Sequence, residues 1–408
     1  MEFFSLYFHI PFCIHRCGYC DFNTYAGLEN LIPDYVDALC KEILWVKSHL
    51  NKPLSIRTVF FGGGTPSLIS AEQYEKIFLH IQQSFDLSED AEISLEVNPG
   101  TLSVDYLKTL KSISFNRISI GMQTANPDEL RLLERQHNVF DVLKAVSRAR
   151  EAGFSNLNLD LIFGLPGQSL HSWEKSLSTA LSLEPEHLAL YALSIEHGTP
   201  FDHWNQRGLL DRIDQDKAAD MYEYASSILG ASGYLQYEIS NWARHLSGTH
   251  LANVENPHFA CKHNLQYWHN LPYLGFGAGA HGYDGRFRTA NVLSPKAYIQ
   301  RLNNPLEQKG ILHPQGFPHT PATVSSQAID PVTGIGETMM MGLRLTREGI
   351  AENMFQERFN LSLSEKFRPQ INRLVKLGLI EWIQDKQTHL RLTAKGPLLG
   401  NQVFIEFI

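Results

Sequence analysis

The 408-residue chain is predicted to be an α/β protein, with a partial (β/α)6 barrel of the TIM type and a smaller C-terminal α+β domain that is winged-helix-like. Two observations predict the barrel. Six short runs rich in β-branched and aromatic residues alternate with amphipathic helical stretches, which is typical of a parallel sheet with crossover helices. Unusual polar or glycine-rich residues also follow or end five of these runs, where parallel barrels carry their binding loops.

The predicted strands cover residues 4–10, 58–61, 92–97, 117–122, 157–163 and 187–193. Helix signals lie between them. Pro33 precedes apolar residues at helical spacing, and Asn126-Pro127 supplies an N-cap followed by a proline in the first turn. Gly153 is predicted to end a helix over 141–152. Six such units fit a partial barrel better than a closed eight-stranded one.

The composition beyond residue 303 shifts to Pro, Gly, Ser and Thr, which indicates a linker. Helices over 337–345 and 363–377 and a hairpin over 378–393 are expected after it. We therefore divide the chain into a core barrel (1–240), a barrel extension (241–302), a linker (303–333) and an accessory domain (334–408).

A helix followed by a hairpin also suggests a nucleic-acid-binding winged helix. The chain carries 35 Lys and Arg against 43 Asp and Glu, a formal charge of −8, which argues against a general binder of nucleic acid or anionic membranes. The four cations of the 363–377 helix are typical of a solvated face. We expect no nucleic-acid partner and a packing or docking role for this domain.

The N-terminus lacks a positively charged signal-peptide region, and no apolar run approaches the ~18 residues of a membrane span. We therefore expect a cytoplasmic protein with at most transient membrane contact. Five cysteines, three of them clustered, suit a reducing compartment.

Cys13, Cys17 and Cys20 form a C-x3-C-x2-C loop directly after the first predicted strand. Three thiolates can hold three irons of a [4Fe–4S] cluster and leave the fourth iron open to the amino and carboxylate groups of S-adenosylmethionine (SAM). The alternative is a structural zinc site, which needs four ligands. Cys40 and Cys261 are isolated, so no second cysteine pair is available.

Four further strand ends carry residues suited to a bound SAM. Glycines 62–64 allow close approach to a ligand, although a phosphate loop and a plain turn are alternatives. Glu96, Gln123 and Asp160 follow or end the next three strands, and Arg135 lies after the fourth. A second glycine-rich run, 273–282, lacks the frame of a dinucleotide site and is predicted to pack closely beside the barrel mouth.

Motifs at 7–13, 62–67, 98–101, 160–167 and 237–241 together resemble the oxygen-independent coproporphyrinogen III oxidase-like radical SAM family. The resemblance implies that Cys13, Cys17 and Cys20 ligate the cluster. It also implies a set of SAM contacts, namely Tyr7, Tyr19, Gly63, Gly64, Thr65, Glu96, Gln123, Arg135 and Asp160.

Two functions compete within this family. Coproporphyrinogen oxidases carry a further cysteine two residues after the third, and Phe22 stands there in this chain. Residues 263–268 are similar to the H-N-x-x-Y-W motif of a heme-chaperone branch, which delivers heme to hemoproteins of the respiratory chain. We expect a chaperone that binds heme, and homodimer formation is a further expectation. The alternative is a radical SAM oxidase that decarboxylates the propionates of coproporphyrinogen III.

His263 can ligate heme iron axially, while Tyr267 and Trp268 offer flat apolar faces to the macrocycle. His258, Cys261 and His269 are alternative axial ligands, and a buried histidine in an aromatic core is the plainer interpretation. The connection over 243–260 looks longer than its family counterpart, and we expect it to alter access to this motif.

Overall fold

The computed structural model describes residues 3–245, 256–305, 316–384 and 387–408, which form two compact units. Unit 1 comprises residues up to 186, 190–221 and 272–328. Unit 2 comprises 187–189, 222–271 and 329–408. Residues 246–255, most of the predicted long connection, and 306–315 lie outside the described residues. The four-part domain division made from the sequence stays a prediction.

The strands alternate with helices through the first half of the chain. They are β1 (Phe3–Ile10), β2 (Phe12–Cys13), β3 (Tyr25–Ala26), β4 (Ser55–Gly63), β5 (Asp86–Val97), β6 (Arg117–Gln123), β7 (Leu157–Phe163), β8 (His187–Ala192), β9 (Tyr234–Glu238), β10 (Asn241–Arg244), β11 (Tyr273–Phe276), β12 (His281–Tyr283), β13 (Phe287–Asn291), β14 (Thr323–Ala328), β15 (Ile350–Ala351), β16 (Ile380–Gln384) and β17 (Thr388–Leu392).

The helices are α1 (Ile32–Ser48), α2 (Ala71–Ser84), α3 (Val104–Ile113), α4 (Pro127–Leu132), α5 (Val139–Glu151), α6 (Leu170–Ser182), α7 (Pro200–Gln206), α8 (Gln215–Ala231), α9 (Lys262–Trp268), α10 (Pro295–Asn303), α11 (Pro331–Gly342), α12 (Glu352–Phe359), α13 (Leu363–Lys366), α14 (Arg368–Lys376) and α15 (Gly400–Phe404). Within the described residues, no helix combines the length and apolar composition that crossing a bilayer requires.

The predicted α/β fold is confirmed, because the six predicted strands are β1, β4, β5, β6, β7 and β8 in that sheet order. Neighbours from β1 to β7 pair in parallel. The strands β1, β6 and β7 and the second half of β5 are largely buried, and the helices α2 and α5 bury apolar faces. Asn126 caps α4 and Pro127 opens it, as its sequence predicts.

Four strands that the sequence did not predict extend the sheet of unit 1 beyond β1. The first, β11, pairs in parallel with β1, and β12, β13 and β14 follow it in antiparallel order. The glycine-rich run packs closely, as expected, because an added Cβ on Gly275 would collide with the His281 carbonyl oxygen. The Glu42 carboxylate of α1 accepts a hydrogen bond from the Gly277 N–H of this run at 2.9 Å and another from the Tyr298 hydroxyl of α10 at 2.6 Å.

Unit 2 contains the predicted hairpin, in which β16 and β17 pair antiparallel, and β15 adds a third strand. The predicted helix over 363–377 is wrong in one respect, since it is divided into α13 and α14 at Phe367 (φ −114°, ψ 25°). Pro369 lies in the first turn of α14, and a proline there cannot donate the hydrogen bond that would continue α13. A core of apolar side chains from α11 to α15 holds the unit together.

Candidate functional site

The cysteine loop is a closed turn between two short strands. Cys13 ends β2, which pairs in parallel with β3, and the Tyr25 N–H donates to the Pro11 carbonyl at 2.7 Å. Cys17 and Cys20 lie on the turn between them, and the Cys20 N–H donates to the Cys17 carbonyl at 3.1 Å. None of the three thiols forms a disulfide. Local pairing therefore brings the loop's two ends together, and the Thr65 N–H joins the loop to the barrel through the Phe12 carbonyl at 2.8 Å.

The loop opens onto a cavity of about 500 Å³ at the carboxyl ends of the barrel strands, which we call the cofactor cavity. Eleven of the predicted residues line it: Cys13, Cys17, Tyr19, Cys20, Gly63, Gly64, Thr65, Glu96, Gln123, Arg135 and Asp160. The residues that were predicted at the strand ends therefore line one cavity. Tyr7 lies beside this space, not on its wall, and its hydroxyl is 2.9 Å from Nδ1 of His9. Its contact with SAM stays a prediction.

A chain of hydrogen bonds connects two of the cysteines. The Thr65 hydroxyl donates to Sγ of Cys13 at 3.6 Å and accepts from the Asn98 amide at 2.9 Å. Arg135 donates to the side-chain oxygen Oδ1 of Asn98 at 2.8 Å and to Sγ of Cys17 at 3.8 Å. Positive charge and hydroxyl donors stabilise thiolates, which are the form that binds iron. Burial nevertheless raises the pKa of Cys13, and the hydrogen bond from Thr65 offsets only part of that shift.

Two carboxyl groups face the same cavity. Burial, together with the nearby Asp160, raises the pKa of Glu96 to about 7. Burial likewise raises the pKa of Asp160, although hydrogen bonds from Ser119 and Asn158 oppose the shift. A cation placed between them would favour their ionised forms. SAM carries such a positive charge on its sulfonium.

The glycines beside the loop leave room that a side chain would fill. A Cβ added to Gly64 would lie 2.6 Å from the Phe12 carbonyl oxygen and 3.1 Å from Sγ of Cys13. Gly63 has a φ of 112°, and its N–H donates to Glu96 at 3.0 Å. The backbone here approaches both the cysteine loop and the cavity wall, as a SAM-binding loop requires.

The donor set fits the expected cofactors. Among the described residues, no group of three His, Cys, Asp or Glu side chains is arranged to hold a single metal ion. A [4Fe–4S] cluster instead takes one thiolate on each of three irons, and three free thiols lie along one cavity wall. Cys13, Cys17 and Cys20 would hold such a cluster, which supplies an open iron and an electron. Glu96, Asp160 and the glycine loop would orient SAM beside it.

The predicted heme residues lie on α9 in unit 2, and we call residues 263–268 the heme motif. The His263 side chain is buried, at 1% exposure, and its Nε2 is 2.9 Å from the Tyr267 hydroxyl. The two rings meet edge to face with centroids 4.9 Å apart. Trp268 lies under the guanidinium of Arg344, 4.4 Å from ring centroid to Cζ. The motif is closed in this conformation.

The alternative axial ligands occupy three different environments. His258 is exposed and its ring packs edge to face on Phe259. Cys261 is buried, and its N–H donates to the Tyr237 hydroxyl at 3.1 Å. Nε2 of His269 lies 2.9 Å from the carboxylate of Glu348. The choice of His263 as the ligand stays a prediction.

Polar residues in or beside the cofactor cavity were missed as site residues, among them Asn98 and Ser119 of its lining and Asn158, which hydrogen-bonds to Asp160. Asn98 bridges Thr65 and Arg135, while Ser119 and Asn158 hold Asp160. Asn98 stands directly after a strand, in a motif that the sequence analysis quoted, so its position could have indicated it. Ser119 and Asn158 lie inside strands, where the alternation of faces is the only signal.

Family models match two parts of the chain: the radical SAM superfamily over residues 7–180 and the HemN C-terminal domain over 331–399. The curated protein "Heme chaperone HemW" of Bacillus subtilis is 40% identical over 99% of both chains. The protein of the same name from Escherichia coli is 37% identical over 72% of this chain and 75% of its own.

Among solved structures, coproporphyrinogen III oxidase (HemN) of E. coli superposes with a TM-score of 0.79. It covers all of this chain and 90% of its own length, at 24% identity, so this similarity concerns the fold. The predicted fold class, an α/β radical SAM barrel with a smaller C-terminal α+β domain, is thereby confirmed, and the family model identifies that domain as a HemN C-terminal domain. The identity to the curated relatives, sustained over whole chains, shows that this chain belongs to the HemW family of radical SAM proteins.

Proposed function

We propose that the chain is a heme chaperone, which binds heme at the heme motif and delivers it to hemoproteins. A SAM-chelating [4Fe–4S] cluster occupies the cofactor cavity in this proposal. The observation that supports it most directly is the H-N-x-x-Y-W sequence on α9, where His263 and Tyr267 contact each other and Trp268 ends the helix. Relatives that are 36% and 40% identical over 99% of this chain bear the name heme chaperone.

His263 acts in this proposal as the axial ligand of the heme iron. An imidazole coordinates iron through a nitrogen lone pair, so Nε2 must leave the Tyr267 hydroxyl before it can bind. The aromatic rings of Tyr267 and Trp268 then offer apolar surface to the macrocycle. Heme binding consequently requires a local opening of α9 or of the side chains on it.

Coproporphyrinogen oxidation, the alternative, has no specific observation in its favour. Phe22 stands where oxidases have a further cysteine, and its side chain is 61% exposed and offers no ligand. The likeness to the oxidase structure is a likeness of fold at 24% identity. Bacterial relatives at 31–40% identity are named as heme chaperones, and a relative from Danio rerio, 37% identical over 74% of this chain, is named only for its radical SAM domain.

The recipients form the finer part of the proposal. We assign delivery to hemoproteins of the respiratory chain, with a cytoplasmic chaperone that contacts the membrane transiently and forms a homodimer. What supports delivery is the family's name. Respiratory recipients, membrane contact and dimer formation follow from the family resemblance, and the absence of a nucleic-acid partner follows from the net charge.

Heme transfer is the experiment that tests the function. The cluster-reconstituted, heme-loaded chain is mixed anaerobically with the heme-free form of a respiratory b-type cytochrome subunit, and the Soret spectrum of the recipient is followed. We expect faster transfer than from heme-loaded serum albumin, a carrier with no delivery role. Transfer no faster than from albumin would contradict the chaperone assignment.

A further inference from the structure

Arg344 is the charged side chain that lies against the heme motif. Its guanidinium carbon is 4.4 Å from the centroid of the Trp268 ring and 5.8 Å from that of Phe404. Its Nε is buried and has no hydrogen-bond partner. No ion pair to Arg344 is found among the described residues. The planar cation is therefore held by aromatic stacking, with hydrogen-bonding capacity left unused.

Glu238 interacts electrostatically with Arg344 but forms no ion pair with it. Glu238 is completely buried, and its Oε2 has no hydrogen-bond partner. It belongs to the 237–241 motif, which has no role in the proposed function. Its other carboxyl oxygen accepts from the Asn241 amide. Burial raises the pKa of Glu238, and Arg344 opposes that shift from beyond ion-pair distance. A carboxyl group that resists ionisation leaves the positive charge of Arg344 without a counter-charge.

Trp268 contributes a second unused donor. Its indole Nε1 is buried and makes no hydrogen bond, although buried indole nitrogens usually find an acceptor. Two donors without partners, Nε of Arg344 and Nε1 of Trp268, therefore lie on side chains that pack against each other. Both can donate to an anion, and the planar fork of a guanidinium matches a carboxylate with two parallel hydrogen bonds.

We infer that Arg344 is a binding residue for one propionate carboxylate of heme, adjacent to the heme motif. This inference rests on the proposed function and adds the polar end of the ligand to it. Because Arg344 stacks on Trp268, Trp268 orients the guanidinium that binds the carboxylate. The same residue belongs to the heme motif and offers its ring to the macrocycle. Arg344 then sets both affinity and the orientation of the porphyrin.

The experiment compares heme with heme dimethyl ester, whose propionates are uncharged, by Soret titration of the full cluster-reconstituted chain. The variants are Arg344→Gln, Arg344→Lys and a matched control, Arg368→Gln. Arg368 is an exposed arginine of the same unit, 67% exposed at its side chain, and it loses the same charge. Circular dichroism and thermal unfolding report whether each variant folds.

We expect wild type to bind heme at least about tenfold more tightly than the diester. Arg344→Gln should lower heme affinity to that of the diester and leave diester affinity within about twofold. Arg344→Lys should fall between wild type and Arg344→Gln, and Arg368→Gln should match wild type. This pattern isolates the carboxylate contact from general destabilisation.

Equal affinity of wild type for heme and diester would overturn this inference and leave the chaperone function standing. The inference also fails if Arg344→Gln weakens both ligands equally. Because the wild-type comparison needs no variant, the inference can fail even if Arg344→Gln does not fold. Wild type that saturates with neither ligand would contradict the proposed function itself.

Discussion

The cofactor cavity and the heme motif differ in how their binding groups are held before a ligand arrives. In the cavity, the thiols, the glycine loop and two carboxyl groups line about 500 Å³ of open space, and Thr65 and Arg135 already contact the cysteines. In the motif, His263 is buried and its Nε2 contacts Tyr267. The cofactor cavity is open before a ligand arrives, whereas the heme motif would have to open to bind heme as proposed. A ligand that stays bound suits the first arrangement, and one that is handed on suits the second.

Removal of a cysteine ligand should have the largest effect on the cofactor cavity. Cys13→Ala should abolish the cluster, because two thiolates on this loop cannot hold a cube that takes three. Iron and acid-labile sulfide in the anaerobically reconstituted chain measure the effect. Cys40→Ala, a buried thiol outside the cavity, is the matched control and should retain about four irons per chain. Full iron content in Cys13→Ala would show that the loop is not the cluster site.

Filling the glycine loop tests whether the cavity is as tightly preformed as its contacts indicate. Gly64→Ala places a Cβ against two backbone carbonyls, those of Phe12 and Ile10 at 2.6 and 2.8 Å, which cannot rotate away. SAM affinity, measured by calorimetry on the reconstituted chain, should fall about tenfold. Gly100→Ala is the control, since a Cβ there meets nothing within 4 Å. If both variants bind SAM like wild type, the loop has more freedom than this account allows.

The pH dependence of the unfolding free energy measures how much stability the chain loses when the buried Glu96 carboxyl group ionises. The pKa of Glu96 rises from 4.5 to about 7 on folding, so the folded chain holds this proton more tightly than the unfolded chain. The contribution of protonated Glu96 to the free energy of unfolding is fully present below pH 4.5. It is lost as the pH rises through about 7. At pH 8 without ligands, Glu96→Gln should therefore exceed wild type by up to about 3 kcal/mol in unfolding free energy.

Chemical denaturation of both chains at pH 4.5 and pH 8 measures this difference, which should shrink toward zero at the lower pH. The same variant should bind SAM more weakly, since it lacks the negative charge. A constant difference across the pH range would mean that Glu96 ionises normally in the folded chain.

Tyr267→Phe sharpens the comparison from the side of the motif. The change keeps the aromatic face but removes the hydroxyl that contacts His263. Because this contact no longer has to be broken, heme affinity should rise about fivefold, the equivalent of one ordinary hydrogen bond. Soret titration beside wild type measures it. A loss of affinity would instead indicate that the hydroxyl itself contacts bound heme.

The sequence predicted more of the residues that meet in the cofactor cavity than of those that meet at the heme motif, because different physical rules bring them together. Parallel strands bring their carboxyl ends to one rim, so Glu96, Gln123 and Asp160 could be grouped from the sequence before any contact was known. No comparable rule brings Arg344 onto Trp268, which is 76 residues away in the chain. That pairing depends on how α9 and α11 pack, and packing is not encoded in local periodicity.

The extension from β11 to β14 was missed for a similar reason. Its strands are three to six residues long and rich in Gly, Ser and Thr, so they lack the apolar runs by which the barrel strands were recognised. Their pairing partners lie along a barrel edge that only the folded sheet creates. The helix break at Phe367 was visible in principle, because Pro369 follows it.

The central claim is that this chain binds heme through His263. An anaerobic Soret titration of the reconstituted wild type, His263→Ala and His258→Ala tests it most directly, since His258 is exposed and needs no opening to reach heme. The account predicts one saturating site per chain, weakened at least about tenfold in His263→Ala and within twofold of wild type in His258→Ala. Binding that never saturates in wild type, or that survives unchanged in His263→Ala, would contradict it.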